Sequence, residues 1–530
     1  MSADTDWTRV VTEGYTFDSP ALDLGVLVAE GQPRPEARVR IPLAMLNRHG
    51  LVTGTTGTGK TKTLQGMAEG LSRAGVPVFA ADVKGDLSGL SAPGTPSDKL
   101  TARCRAIGQD WQPHGCPVEF YALAGKGHGV PLRATVSSFG PILLSKVLGL
   151  NDVQESTLGV VFHWADKQGL PLLDLSDLRA VLAHLSTPEG RREIADVGAV
   201  SPATIGVIQR NLVTLSDQGG DDFFGEPEFD TADLVRTTPE GAGVISLLEL
   251  PDLQDRPDLF STFLMWLLAD LFADLPEVGD LDRPRLVFFF DEAHLLFRNA
   301  SRAFLEAIAR TVRLIRSKGV GVVLVTQSPQ DVPEEVLGQL GSRIQHQMRA
   351  HTPREAKALR STVETFPTSP YDLAQVLQSV GIGEAVVTVM DPDGAPTPVA
   401  WTRMVAPESL MAPVDPATIE AAVTASPLQA RYGRATDRDS AREMLARRLE
   451  QAAADHGAPP AGRPGGSPDD GRGGNEQEGG DGHAEQGPGR GSAADVIGSI
   501  MGSAVVRDIA RTASREIIRS LFGTARRRRR

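Results

Sequence analysis

Eight residues at 54–61, GTTGTGKT, place three glycines, four threonines and a lysine in a spacing suited to gripping a polyphosphate. Gly54, Gly57 and Gly59 let the backbone turn tightly enough to aim N–H groups at phosphate oxygens. A helix starting at the lysine would point its positive end at the same anion. The stretch Gly54, Thr55, Thr56, Gly57, Thr58, Gly59, Lys60, Thr61 and Lys62 is expected to bind ATP. Lys60 should reach the β- and γ-phosphates, and Thr61 should hold Mg²⁺. The context agrees, with an apolar run, GLVTG, ahead of the lysine and a helix-compatible TLQGMAEGLSRAG behind it.

Cleaving a phosphoanhydride also requires a carboxylate on the metal side and a group that polarises water. LVFFFDE at 286–292 supplies both where a buried strand would end, and the expectation is Asp291 beside Mg²⁺ and Glu292 on the attacking water. Gln327 ends a further apolar run and has two readings, a γ-phosphate sensor or a strand cap. His294 reads as a helix-start or packing residue. Arg313, Arg316, Arg343 and Arg349 are candidates for an arginine lent to a neighbouring subunit's nucleotide, with Arg316 preferred; such a residue is worth ~10³–10⁵ in rate. Asp82, Lys84 and Asp86, in ADVKGDLSG, follow another apolar run, where loops of an open α/β sheet face the ligand. A salt-bridged loop accounts for them equally well.

Such residues must be held by a rigid frame. The runs at 50–54, 76–83, 286–292, 319–327 and 384–390 are too apolar for half-exposed strands and suit a mostly parallel sheet buried on both faces. Helical patterns such as SRAFLEAIARTVRLIRS alternate with them, which predicts an α/β fold. The organisation expected is an N-terminal segment at 1–45 and a core in two parts, 46–100 and 281–410. A mostly helical insertion at 101–280 should separate those parts, its strand at 243–250 returning to the sheet edge. A helical segment at 411–455 follows.

Residues 456–492 have almost no apolar side chain to offset ordering entropy and read as a flexible linker, with a span of roughly 30–35 Å. The tail at 493–530 places Arg507, Arg511, Arg515 and Arg519 on one helical stripe and Val506, Ile509, Ala513 and Ile517 on another, before five final arginines.

Composition narrows the class. At 530 residues, with 41% hydrophobic and 23% charged residues, most of the chain should fold. Two cysteines, Cys104 and Cys116, exclude a disulfide framework and a cysteine zinc site, which favours the cytoplasm. The most apolar stretch, LFSTFLMWLLADLFADL, is interrupted by Asp270 and Asp274, so no transmembrane segment is expected. A net charge of −13 opposes nonspecific attraction of the whole surface to nucleic acid but leaves room for a basic channel or tail.

With these residues in place, NRHGLVTGTTGTGKT, ADVKGDLSGL, FFFDEAHLLF and IRSKGVGVVLVTQSPQDVP together resemble the HerA-like branch of the HerA/FtsK P-loop ATPases. Within that branch the chain looks like the bacterial YjgR-type group, over about residues 20–410 and again in the tail. The resemblance implies a RecA-like core, rings that are commonly hexamers, ATP sites between subunits, and translocation or unwinding of DNA. About 50 residues precede the loop, too few for a full N-terminal β-barrel, so partnership with a nuclease is not carried over. The leading expectation is an ATP-hydrolysing ring motor on DNA. The alternative is an ATPase that remodels a protein partner docked through the tail helix, or one that works at a membrane surface without nucleic acid.

Overall fold

The computed structural model describes residues 3–457, apart from 124–126, 251–256, 280, 298–301 and 437. The tail expected at 493–530, and all but the first two residues of the expected linker, lie outside the described residues.

Twelve strands form one sheet: β1 (Ala21–Ala29), β2 (Gln32–Pro42), β3 (Gly50–Thr53), β4 (Val78–Asp82), β5 (Val118–Leu123), β6 (Val130–Leu132), β7 (Ile245–Glu249), β8 (Leu286–Phe290), β9 (Val320–Thr326), β10 (Ser342–Gln345), β11 (Glu384–Thr388) and β12 (Ala400–Met404). Their order is β2-β1-β12-β11-β10-β3-β9-β8-β4-β7-β5-β6. From β10 to β6 neighbouring strands pair in parallel. From β10 back to β2 they pair antiparallel.

The sheet is covered on both faces, and alternation along each strand decides which core a side chain joins. In β8, Phe288 and Phe290 enter one hydrophobic cluster, while Val287 and Phe289 enter the other. The first cluster is completed by helices Val136–Val147, Asp152–Lys167, Leu175–Ser186, Pro202–Asp217 and Pro257–Asp274. The second is closed by helix Lys60–Arg73 through Leu64, Met67 and Leu71, and by the N-terminal elements through Val11, Tyr15 and Leu24. Helix Pro257–Asp274 carries the most apolar stretch, and its residues from Phe263 to Leu268 are buried in the first cluster. Its Asp270 accepts a hydrogen bond from Thr231 at 2.8 Å. No described helix is long and apolar enough to cross a membrane.

Two expectations about the sheet need correction. The strand from the 243–250 run, β7, is not at the edge but lies between β4 and β5. The reason is that VEFYAL and the short VPL run, both inside the interval read as mostly helical, extend the sheet past it. The 384–390 run likewise forms a strand, but an antiparallel one. Beyond it, β12 recruits the N-terminal hairpin β1–β2, so the N-terminal segment is built into the sheet.

After β12 the chain crosses the outer side of helix Lys60–Arg73 as a strap. The buried Glu69 carboxylate accepts the N–H groups of Glu408 at 2.8 Å and Ser409 at 3.0 Å, and the Ser409 hydroxyl as well. Gln65 donates to Ser409 Oγ and to the Leu410 carbonyl, and Lys62 to the Met411 carbonyl at 2.9 Å. Buried donors left without an acceptor are costly. Glu69→Ala should therefore destabilise the protein by on the order of 3 kcal/mol, read as a lower thermal midpoint, whereas an unchanged midpoint would show that the strap contributes nothing.

Candidate functional site

The pairing of β3 with β9 and of β9 with β8 brings three strand ends to one edge of the sheet. Thr53 stands opposite Thr326, and Leu324 opposite Phe290. The phosphate-gripping loop therefore leaves β3 beside Gln327, which follows β9, with Asp291 and Glu292 following β8 next along.

The loop has the backbone its glycines predict. Gly54, Gly57 and Gly59 have φ of 149°, 82° and 116°. At Gly54 a Cβ would lie 2.5 Å from the His346 Cβ, which leaves no room for a side chain, and at Gly59 one would press on the Gly383 backbone at 3.1 Å. Helix Lys60–Arg73 follows with Gly59 as its N-cap and no side-chain cap, leaving first-turn N–H groups directed at the loop. The Lys60 ammonium donates to the carbonyls of Gly54 at 2.7 Å and Thr55 at 3.3 Å. Burial lowers its pKa, and the negative field of Glu292 works against that shift. Thr61 lies half-buried on the first helical turn. Lys62 is turned away, its ammonium on the strap and on Gln65.

The loop is braced from behind by residues outside the sequence motifs. Thr55 N–H donates to the Gln347 carbonyl at 2.9 Å, His346 N–H to the Thr53 carbonyl at 2.7 Å, and Gly383 N–H to the Thr58 carbonyl at 2.9 Å. The His346 ring spans from the Glu384 carbonyl to the Thr63 hydroxyl, and burial pushes its pKa down to about 4, so it is neutral. Arg103 donates to the carbonyls of Gly383 and Met404, and Arg403 forms an ion pair with Glu384 at 2.8 Å. None of these carries a local motif; only the tertiary pairing of β10 and β11 brings them under the loop.

The carboxylates form the other half of the site. Asp291 is buried; Oδ1 accepts the Glu292 N–H at 2.9 Å, and Oδ2 has no hydrogen-bond partner among the described residues. Burial pushes its pKa up to about 6, against the opposing field of Lys84. Glu292 has φ +49°, a left-handed conformation that is strained for a residue with a side chain. Burial would raise its pKa as well, but the Lys84 hydrogen bond and the fields of Lys84, His294 and Lys60 outweigh it and hold the group below the ordinary range. Lys84 Nζ stands 2.5 Å from Glu292 Oε1. His294 Nδ1 lies 3.2 Å from Oε2, outside hydrogen-bond geometry.

Asp82, at the end of β4, accepts the N–H groups of Lys84, Gly85 and Asp86 on Oδ1 and that of Leu87 on Oδ2. It acts as the anchor of its own loop, and burial pushes it up to about 6. Glu249 ends the neighbouring β7, opposite Asp82, and is absent from the sequence-based set. Burial, with the fields of Asp82 and Asp86 added, pushes it up to about 8.

The arginines are not gathered at the loop. Arg316 begins the short turn before β9, at the opposite edge of the sheet from Gln327, ~20 Å away at 3.3 Å per residue. Arg313 is exposed on helix Arg302–Ile315, and Arg343 hydrogen-bonds Thr365. Arg349 is exposed beyond β10, two residues past Gln347.

A glycine-rich loop and lysine at the end of one parallel strand, two acids at the end of a second, and a further strand between them define a RecA-like P-loop α/β protein. The chain belongs to the HerA-like helicase family, P-loop ATPases of the HerA/FtsK type: the family described as "Helicase HerA-like C-terminal" matches residues 28–530. Among solved structures, the chain is similar to the plasmid coupling protein TrwB in complex with ADP and Mg²⁺, at 17% identity over 77% of this chain and 93% of that one, with a TM-score of 0.49. It is also similar to VirB4 of Thermoanaerobacter pseudethanolicus, at 14% identity over 75% and 97%, with a TM-score of 0.46. No curated protein matches the chain.

Two consequences can be measured. Lys60→Ala removes the one lysine that lies within the loop, and nucleotide binding or turnover should be lost; full ATPase activity in that variant would contradict the assignment. Glu249 has a folded pKa of about 8 against an ordinary 4.5, so between those pH values the folded state holds a proton that the unfolded state has released. Stability on its account falls as pH rises through that window, by at most about 1.4 kcal/mol per pH unit. Glu249→Gln should raise the unfolding midpoint at pH 8 and leave it unchanged near pH 4.

Proposed function

We propose that this chain hydrolyses ATP at the shared edge of β3, β9 and β8 and uses the energy to move or unwind DNA as an oligomeric ring, hexameric as the family resemblance implies. The observation that carries the chemistry is the meeting of Lys60 with Asp291 and Glu292 across three hydrogen-bonded strands, Asp291 presenting a buried oxygen with no partner among the described residues. An uncompensated buried carboxylate oxygen is unfavourable unless something pairs with it. That oxygen and the Thr61 hydroxyl fit the donor set of a hard cation and would hold Mg²⁺. When bound, Mg²⁺ neutralises phosphate charge.

The chain's own residues supply the rest. The N–H groups of the loop and first helical turn bind the phosphates, and Lys60 exchanges the carbonyls of Gly54 and Thr55 for phosphate oxygens. Glu292, held ionised, accepts the proton of the attacking water, and Gln327 orients that water or reads the γ-phosphate. Arg316 lies too far from the loop of its own protomer to act there, so the role proposed for it is on a neighbouring subunit's nucleotide.

Replacing Glu292 with Gln keeps the shape and removes the base. Turnover should fall by ~10²–10⁴ while ATP binding persists, and mixing this variant with wild type should depress activity more than in proportion if sites work together in a ring. The substrate is tested by the same ATPase assay with single- and double-stranded DNA and with cell-derived protein fractions. Stimulation by DNA is expected; stimulation by protein alone would replace the DNA motor with a protein-remodelling ATPase.

A further inference from the structure

The 2.5 Å ion pair between Lys84 and Glu292 joins a lysine that the ATP-hydrolysing reading leaves without a task to the carboxylate that activates water. We propose that Lys84 is a positioning residue that holds Glu292 out of its water-activating position, so that hydrolysis waits until the 83–88 loop lets go. The inference rests on Glu292 having the role proposed above.

Three observations carry it. First, the contact ties down the carboxylate: Oε1 accepts from the ammonium, and Oε2, buried and facing His294, has no hydrogen bond among the described residues. A carboxylate held against an ammonium is not free to turn toward a water molecule elsewhere. Second, the restraint is asymmetric. The Glu292 side chain is 10% exposed and fixed on a strained backbone, whereas that of Lys84 is 42% exposed. On release the lysine therefore has solvent to move into, whereas Glu292 stays where its backbone holds it.

Third, the lysine is aimed by a separate device. Asp82 takes four successive loop N–H groups, from Lys84 to Leu87, which fixes where the Lys84 side chain starts. The far end of that loop is joined to the strap: Ser88 Oγ accepts the Val414 N–H at 3.3 Å, and Gly89 packs so closely on the carbonyls of Leu410 and Ala412 that a Cβ would lie within 2.3 Å of both. The strap in turn accepts Lys62 from the first turn of the phosphate-binding helix. A lysine serving only to stabilise a loop would need no carboxylate from another strand, since Asp82 already anchors this one.

The test is steady-state ATPase of the full chain, without any stimulating polymer, for wild type, Lys84→Ala, Lys84→Arg, Glu292→Gln and the double variant Lys84→Ala/Glu292→Gln. Lys84→Ala should raise kcat about two- to fivefold, equivalent to ~0.5–1 kcal/mol at tenfold per 1.36 kcal/mol, with little change in KM. Lys84→Arg, which keeps the charge, should bring the rate back toward wild type. In the Glu292→Gln background the gain should vanish, because the restraint then has nothing to hold. An unchanged or lower kcat in Lys84→Ala, an equal gain in Lys84→Arg, or a gain that persists in the double variant would each overturn the proposal. The water-activating role of Glu292 is judged separately, by the single Glu292→Gln variant against wild type.

Discussion

Parallel pairing across β3, β9 and β8 is the constraint on which the rest depends. Strands that run the same way end on the same side, and neighbours stand ≈ 4.8 Å apart. Lysine and acids separated by more than two hundred residues of chain thus emerge about two strand spacings apart. The same pairing requires both faces of these strands to be covered, hence their unbroken apolar composition and the two clusters that sandwich them. Charge is then admissible only where the strands stop, and Asp82, Glu249, Asp291 and Glu292 all stand at or just beyond such ends.

Crowding four acids along one edge has a cost, and the structure distributes it unequally. Asp82 is offset by four backbone donors and Glu292 by Lys84, while Asp291 keeps an oxygen with no partner among the described residues and Glu249 is pushed furthest. Adjacent residues therefore move in opposite directions, Asp291 up and Glu292 down. Environments that separate the pKa values of neighbouring acids assign them different tasks. In the proposed site, the acid raised by burial is the one a cation would return to its charged form, and the acid held down by Lys84 is the one assigned to the water.

Much of this was legible in the sequence because it is local. The loop's spacing predicts its positive φ values, and the apolar runs locate the strands around it within a few residues. What escaped depends on which strands become neighbours, and that is set far along the chain. VEFYAL is too short to stand out within a largely helical interval, yet it moves β7 from the edge to the interior. Lys84 and Glu292 each stand in a legible pattern, but their contact follows from the adjacency of β4 and β8, to which neither local pattern refers. Lys62, grouped with the loop by position, follows instead the strap that its neighbours Gln65 and Glu69 hold.

The brace behind the loop explains why a nucleotide-binding edge carries an antiparallel extension at all. A loop that must present several N–H groups to one anion binds more tightly if it is ordered beforehand, because the ordering entropy is then not charged to binding. Here the loop's carbonyls at Thr53 and Thr58 are taken by N–H groups of His346 and Gly383, and its N–H at Thr55 is given to Gln347. All three partners flank β10 and β11, which are held in turn by β12 and, beyond it, the N-terminal hairpin. Each added strand removes freedom from the one that touches the loop, so the non-motif half of the sheet contributes to the order of the motif half.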